Sequence, residues 1–484
     1  MALVAGVDSS TQSCTVELRD ADSGALIGTG SAPHPPTTPP VSEQDPGKWW
    51  EALALAMARA KESAQASPGD IAAISVAAQC HGLVLQDAAG KVLRPVKLWN
   101  DLTSAEQAAA MVSETGKGFW ADAVGSVPTA AFTITKLAWM AQHEPQVLAQ
   151  AASVCVPHDW LTWKLSGELV TDRSDASGTC YYAAHESRYR HDILERFGRV
   201  GDSLKLPAVL APTQAVGKVA LQAAAELGIS PNTLVAPGAG DQHAGSLGMG
   251  IGPTDVLFSL GTSGVVMTVS NTPVHDHSGW VNGVSDPTGR YLPLVCTLNS
   301  TKVTDWFRQL LGVGFQEFDE LALSVSPSER LLTLAAFLDG ERSPDLPLSV
   351  GILAGLSTSS TRAQLAQAAI DGVVLGLLEG LDAISASAPA NGRVVVAGGG
   401  AKSAAYRQTI ADFLQREVLV LEAPGATPRG AALQAAAVLG QSPIDQVRDA
   451  WRPPVASVTH PGALLPGSIR ERYRELAGYR GMDR

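Results

Sequence analysis

Apolar and polar positions fall into two rhythms whose order recurs along the chain. Ala2 to Val7 is a short apolar run that ends at Asp8-Ser9-Ser10-Thr11-Gln12. Thr15 to Arg19 then alternates, and a turn at Asp20 to Gly24 leads to a third run near Ala25 to Gly28. Short apolar runs and alternation bounded by polar turns predict three successive strands. From Pro46 the period changes. Trp50, Leu53 and Met57 stand at helical spacing, so a helix is expected through Ala66 with Pro46 in its first turn. Ile71 to Ala77 reads as a strand again and delivers Gln79-Cys80-His81-Gly82. Helices are expected around Lys136 to Met140 and from Pro157-His158-Asp159-Trp160, and Asp172 to Thr179 reads as a polar loop.

Halfway along, Leu234 to Pro237 is an apolar run that enters the glycine-rich turn Gly238-Ala239-Gly240-Asp241. Glycines at 245, 248, 250 and 252, followed by Pro253, mark the clearest boundary in the chain. The opening pattern then returns: Val256 to Leu260, the turn Gly261-Thr262-Ser263-Gly264, and Val265 to Ser270. Strand, small-residue turn and strand at both places suggest duplicated domains whose turns face a shared cleft. A nearly all-apolar stretch, Gln364 to Ile384, predicts a buried helix. Val394 to Ala397 then runs into Gly398-Gly399-Gly400, and Ser468 with Glu471 three residues on reads as a capping box for a C-terminal helix.

Length and charge narrow the class. At 484 residues the chain exceeds one ordinary core and suits two large domains. A net charge of -12 without a basic run lacks the footprint of a nucleic-acid binder. Five scattered cysteines give no disulfide framework, Met1 to Val7 is too short for a signal segment, and no apolar run suits a membrane span. The expectation is a cytoplasmic protein acting on a small molecule.

Candidate chemistry concentrates at the turns. Asp241 is a carboxylate held between glycines that let backbone approach a ligand, although an ordinary helix cap has the same look. The Asp8 to Thr11 turn can offer backbone N–H groups to phosphate, with Asp8 placed to hold the water shell of a magnesium ion; an ordinary hairpin reads alike. Leu98-Trp99-Asn100-Asp101 sets indole beside amide and carboxylate, a mixture suited to carbohydrate. His275-Asp276-His277 has no third ligand at metal spacing and reads as a solvated loop. Gly398-Gly399-Gly400 is neither a Gly-x-Gly-x-x-Gly fingerprint nor a Walker A sequence, which disfavours a dehydrogenase and a P-loop enzyme.

In their order, Asp8 to Thr11, Gly261 to Gly264 and Val394 to Gly400 resemble the FGGY carbohydrate kinases of the actin-like ATPase superfamily. Two longer patterns carry the likeness. Thr133-x-x-Lys136-Leu137-x-Trp139-Met140-x-Gln142-His143 is similar to the first family signature, departing at Ala131. Gly351-x-Leu353-x-Gly355-Leu356, followed after seven residues by Gln364-Leu365-x-x-Ala368-Ala369-Ile370-Asp371, is similar to the second. Ser42 to Pro46 with Trp49-Trp50, then Gln79 to Gly82, Leu98 to Asp101 and Ser174 to Thr179, resemble the branch that acts on D-xylulose. Cys80, Thr15 and Thr103 stand where methionine, lysine and arginine are common.

The resemblance implies an α/β protein of two actin-like, ribonuclease H-like domains flanking a central cleft. Residues 1–246 would form the sugar-binding domain and 247–450 the ATP-binding domain, with the helix in 451–484 packing back on the first. It implies sugar contacts from Cys80, His81, Gly82, Trp99, Asn100 and Asp241, and ATP contacts from Thr11, Gly261, Thr262, Gly398, Gly399 and Gly400. Asp241 would be the catalytic base, and Asp8 would assist by holding magnesium with Asp241 through water. The implied cofactors are ATP and Mg2+ and the partner a small sugar, with no nucleic acid and no membrane; a homodimer is compatible with it. Gluconate, ribulose or glycerol kinases, and a non-catalytic actin-like sensor of sugar or nucleotide, remain the alternatives.

Overall fold

The computed structural model describes residues 2–201 and 203–481. They divide into two units: residues 1–250, 283–292 and 423–453 form the first, and 251–282, 293–422 and 454–484 the second.

The first unit is built on β1 (Leu3–Ser9), β2 (Ser13–Asp20), β3 (Leu26–Pro33), α1 (Pro46–Ala64), β4 (Ile71–Ala78), β5 (Leu234–Val235), β6 (Ala239–Gly240) and α2 (Asp241–Gly248). Its sheet runs β3-β2-β1-β4-β5, with Gly217–Lys218 antiparallel at the far edge and β6 also parallel to β4. β1, β2 and β3 pair antiparallel, whereas β1 with β4 and β4 with β5 are parallel. Val4, Ala5 and Val7 on β1 are all buried, the continuous apolar run expected of a strand covered on both faces. One cover is α1. The Asp45 carboxylate caps it by accepting from Gly47 N at 2.9 Å, and Trp49, Leu53, Ala56, Met57 and Ala60 turn inward.

The other cover comes from far along the sequence. Helix Ala426–Gly440 lies on the β1–β4 face and against α2, with Ala432, Leu433 and Ala436 sharing a core with Val4 and Ala73. Small residues permit the approach: a Cβ on Gly248 would come 1.9 Å from Ala426 O, and one on Gly430 1.9 Å from Ala244 O. Residues 423–453 thus belong to the first compact unit, and the second unit is not the continuous stretch 247–450.

The second unit repeats the plan with β7 (Val256–Leu260), β8 (Gly264–Thr268), β9 (Tyr291–Thr297), α3 (Arg362–Ser385), β10 (Val394–Ala397), β11 (Val418–Leu421), β12 (Val455–Thr459) and α4 (Gly467–Gly478). Its strands run β9-β8-β7-β10-β11-β12, with β7, β10 and β11 parallel and β12 antiparallel at the edge. α3 opens with a reciprocal cap between Thr361 and Gln364 and is buried along most of its length, because its apolar residues surround it.

α4 departs from expectation twice. Ile469 and Tyr473 belong to the core formed by Phe258, Val295 and Leu378, so α4 packs on the second unit and not on the first. Its N-terminus is set by Pro466, which leaves Ser468 inside the first turn and without a capping position.

Candidate active site

Three strands of the first unit end side by side. Ser9 of β1 pairs with Ala78 of β4, and Ala78 pairs with Gly240 of β6. Asp8, Cys80-His81 and Asp241 therefore gather at one edge of the sheet, at the carboxyl ends of parallel strands where α/β proteins bind ligands. Gln79 N donates to Ser9 O at 3.1 Å and ties two of these ends together.

Asp241 is the first residue of α2, where the helix dipole favours a negative charge. Its Oδ1 accepts from Gln242 N at 2.7 Å and from Cys80 Sγ at 3.5 Å. Burial outweighs these bonds and, with the nearby Asp8 charge, pushes the carboxyl from 3.8 up to about 7. Burial likewise raises Asp8 to about 6 against the lowering effect of Ser10, whose Oγ donates to Asp8 Oδ1 at 2.5 Å. The Asp8 charge thus adds to the cost of ionising Asp241. Hard oxygens of this kind fit a divalent cation, which would complete its shell with water and phosphate oxygens.

The glycine turn before Asp241 is shaped by contacts. Gly238 has φ +90, and a Cβ there would stand 2.6 Å from His158 Cδ2 and 2.6 Å from Val76 O. Gln434 fixes the same residue, accepting from Gly238 N at 3.0 Å and donating to Gly238 O at 3.1 Å.

The expected sugar contacts lie around these strand ends. His81 has φ +66, its carbonyl accepts from Thr133 Oγ1 at 3.1 Å, and its ring meets Phe132 at a centroid distance of 4.8 Å. Burial lowers it to about 4, which leaves a neutral imidazole at pH 7. Gly82 packs on Pro157, where a Cβ would be 2.6 Å from Cγ. Trp99 Nε1 donates to Thr11 Oγ1 at 2.9 Å, and Gln44 Nε2 to Thr11 O at 3.0 Å. Thr11 thus packs with Trp99 in the first unit. Asn100 Oδ1 is buried with no hydrogen-bond partner, an acceptor left for a ligand. Asp101 instead organises its own loop, accepting from Ser42 N at 2.8 Å and Thr103 N at 3.1 Å.

Cys80 is only 7% exposed, and burial pushes its thiol well above the usual range.

Sequence reading missed a charged cluster behind this edge. Asp172 to Thr179 is not an open polar loop: Arg173–Ser177 is a short helix whose Ser174, Asp175 and Ser177 are buried. His158 Nδ1 lies 2.9 Å from Asp175 Oδ2, and its Nε2 lies 3.1 Å from Asp159 Oδ1 and 3.7 Å from Asp172 Oδ1. Lys136 is also fully buried, donating from Nζ to Ala130 O at 3.2 Å and Phe132 O at 3.4 Å, and burial lowers it to about 7. The available signal was charged residues inside otherwise apolar helices.

In the second unit the register Ser259 to Ala397 brings the ends of β7 and β10 together, and with them Gly261, Thr262 and Gly398 to Gly400. Gly398 has φ +82, and a Cβ on it would lie 2.5 Å from Leu260 O. Gly261 O accepts from Thr301 N at 3.0 Å and from Thr301 Oγ1 at 2.9 Å. Beside these turns is a cavity of about 760 Å³ lined by Thr301, Arg308, Phe315, Gly399, Gly400 and Tyr406, a size suited to a small organic ligand. His275-Asp276-His277 is a turn in which Asp276 accepts from Trp280 N and Val281 N, each at 2.8 Å. Among the described residues no group of three or more His, Cys, Asp or Glu is placed to hold a metal, and no helix is long and apolar enough to cross a membrane.

One sheet plan used twice, with carboxylates at the strand ends of one copy and glycine turns in the other, defines a two-domain phosphotransferase of actin-like, ribonuclease H-like architecture. Residues 3–248 match the model of the FGGY family of carbohydrate kinases, N-terminal domain, and residues 256–439 match its C-terminal domain; the chain belongs to this family and is an ATP-dependent carbohydrate kinase. It is 42% identical to a xylulose kinase of Streptomyces rubiginosus over 92% of this chain and 90% of that one. The crystal structure of a xylulose kinase from Bifidobacterium adolescentis is similar at 36% identity, covering 99% of both chains with a TM-score of 0.88. A gluconate kinase from Lactobacillus acidophilus has the same fold, with a TM-score of 0.88 at 21% identity over 98% of this chain and 96% of its own.

Proposed function

We propose that the protein transfers the γ-phosphate of ATP to D-xylulose, giving D-xylulose 5-phosphate and ADP. The observation that carries this reading is the convergence of Asp241, Cys80-His81 and Asp8 on adjoining strand ends. Asp241 accepts the proton of the terminal hydroxyl. Its raised pKa makes it a better base than an exposed aspartate, and the loose transition state of phosphoryl transfer asks chiefly for orientation and charge neutralisation. The neutral His81 ring and Asn100 Oδ1 pair with sugar hydroxyls, and Trp99 offers a face to carbon-bound hydrogens. In the second unit the turns at Gly261-Thr262 and Gly398-Gly399-Gly400 hold the nucleotide. Asp8 and Asp241 would hold a magnesium ion, which would supply positive charge to neutralise the phosphates.

A neutral substrate is favoured by the state of the nearby cations. Lys97 is 2% exposed and engaged with Glu43 at 3.0 Å and Thr103 at 2.8 Å, and Lys136 is spent on backbone carbonyls. Neither is left for a carboxylate such as gluconate. Glycerol would leave buried polar groups unpaired at ~1 to 3 kcal/mol each. Catalytic efficiency for D-xylulose should therefore exceed that for glycerol, gluconate and L-ribulose by at least ~10² under saturating Mg-ATP. Equal or better efficiency with any of these three would replace the substrate and leave the kinase.

A further inference from the structure

His158 is fully buried, and three carboxylates surround it. Two have local employment: Asp159 accepts from Val156 N at 2.9 Å, and Asp172 caps the short helix by accepting from Ser174 N at 2.7 Å and Asp175 N at 3.0 Å. Asp175 does not share this pattern. Its Oδ2 meets His158, its Oδ1, like Asp159 Oδ1, is buried with no hydrogen-bond partner, and the residue is 0% exposed. A buried carboxylate in that state needs a cation beside it. Asp175 lies within electrostatic reach of Cys80, His81, His243 and Asp241. On its other side, the His158 ring touches Gly238 in the turn that delivers Asp241. With Asp175 hydrogen-bonded to Nδ1 at 2.9 Å, and the Asp159 and Asp172 carboxylates 3.1 and 3.7 Å from Nε2, the surroundings favour a positive charge on the ring.

We propose that His158 is a positioning residue of the acceptor site: as an imidazolium it props the Ala236–Gly240 turn and neutralises Asp175, so that Asp241 meets the sugar in place and without a second uncompensated charge behind it. A reading confined to packing gives the ring no need of charge. The inference rests on Asp241 as the acceptor base, and Asp241→Asn tests that reading separately.

The decisive measurements are made on the full chain. In wild-type protein with 15N-labelled histidine, the His158 ring, assigned by comparison with a His158→Gln sample or, should that fail to fold, His158→Lys, should be protonated at both nitrogens at pH 7.5. A neutral ring overturns the proposal. His158→Gln should lower kcat by at least ~10-fold with KM for ATP unchanged, the scale on which a small misplacement near a reacting group acts. His158→Lys should retain more of kcat than His158→Gln. The double variant His158→Gln with Asp175→Asn should recover part of the loss, because the unpaired carboxylate has gone. Folded His158→Gln with wild-type kcat, or a double variant no faster than the single one, would overturn it as well.

Discussion

The two sheets share strand order and direction, from the antiparallel hairpins β1-β2 and β7-β8 to the parallel neighbours β4 and β10. What differs is the chemistry at the strand ends. In the first unit they carry Asp8, His81 and Asp241, half-buried titratable side chains. In the second they carry Gly261 and Gly398 to Gly400, which expose backbone. A phosphate is met best by N–H groups and an acceptor hydroxyl by a base, so under the proposed assignment one scaffold would serve both halves of the reaction by changing a few residues at its rim. The gluconate kinase of similar fold makes the same point from outside: the scaffold does not name the sugar.

The sharpest way to break the comparison is at the base. Asp241→Asn should lower kcat by at least ~10² while KM for sugar and ATP stays near wild type, as for a group needed in the transition state. Steady-state kinetics decides it, and near-wild-type turnover would remove Asp241 from that role.

The second unit should respond in the opposite sense. Gly398→Ala places a Cβ 2.5 Å from Leu260 O at a φ of +82. It should cost ~1 to 3 kcal/mol of stability and raise KM for ATP, leaving KM for the sugar unchanged. A variant in which the sugar KM rises instead would show that the division of labour is misassigned.

Acidity gives a graded test. Because Asp241 is raised to about 7 and Asp8 to about 6, kcat/KM should fall as pH drops below about 7. Stability runs the other way. Raised carboxyl pKa values favour the protonated folded form, so their contribution is full below 3.8 and is lost as pH rises toward 7. Thermal unfolding of the free protein across pH 4 to 7 should show this decline; a rise assigned to these two groups would contradict it.

The smallest effect is expected at Cys80. Its buried, weakly acidic thiol should resist iodoacetamide at neutral pH in the native protein, with or without sugar. Rapid labelling of Cys80, read by peptide mass spectrometry, would show that the site opens.

How far the sequence could be read depended on the range of the interactions. The hairpins at Asp8 and Gly261, α1 after Pro46 and the apolar α3 follow from local periodicity and caps, and they lie where the pattern placed them. Asp241 and its neighbours were legible because glycine turns at strand ends are local too. The capping box at Ser468 failed since Pro466 sets that terminus two residues earlier. Asp172 to Thr179 read as a polar loop because the groups that make its burial tolerable, above all His158, are contributed by another element. Gln44 was singled out only within a resembling stretch, although it accepts from Trp49 Nε1 at 2.8 Å and holds the Thr11 carbonyl.

The helix Ala426–Gly440 has a consequence for how the molecule is made. It covers β1 and β4, yet it is synthesised after nearly all of the second unit. Translation therefore produces the first sheet with one face uncovered, and Val4 and Ala73 must wait for Ala432, Leu433 and Ala436 until the ribosome has passed residue 440. In the second unit β7 to β11 precede that helix, whereas the edge strand β12 and the core helix α4 follow it. The first sheet thus stays open on one face while most of the second unit is made, and during that interval its exposed strands are the part of the nascent chain with most to gain from a chaperone.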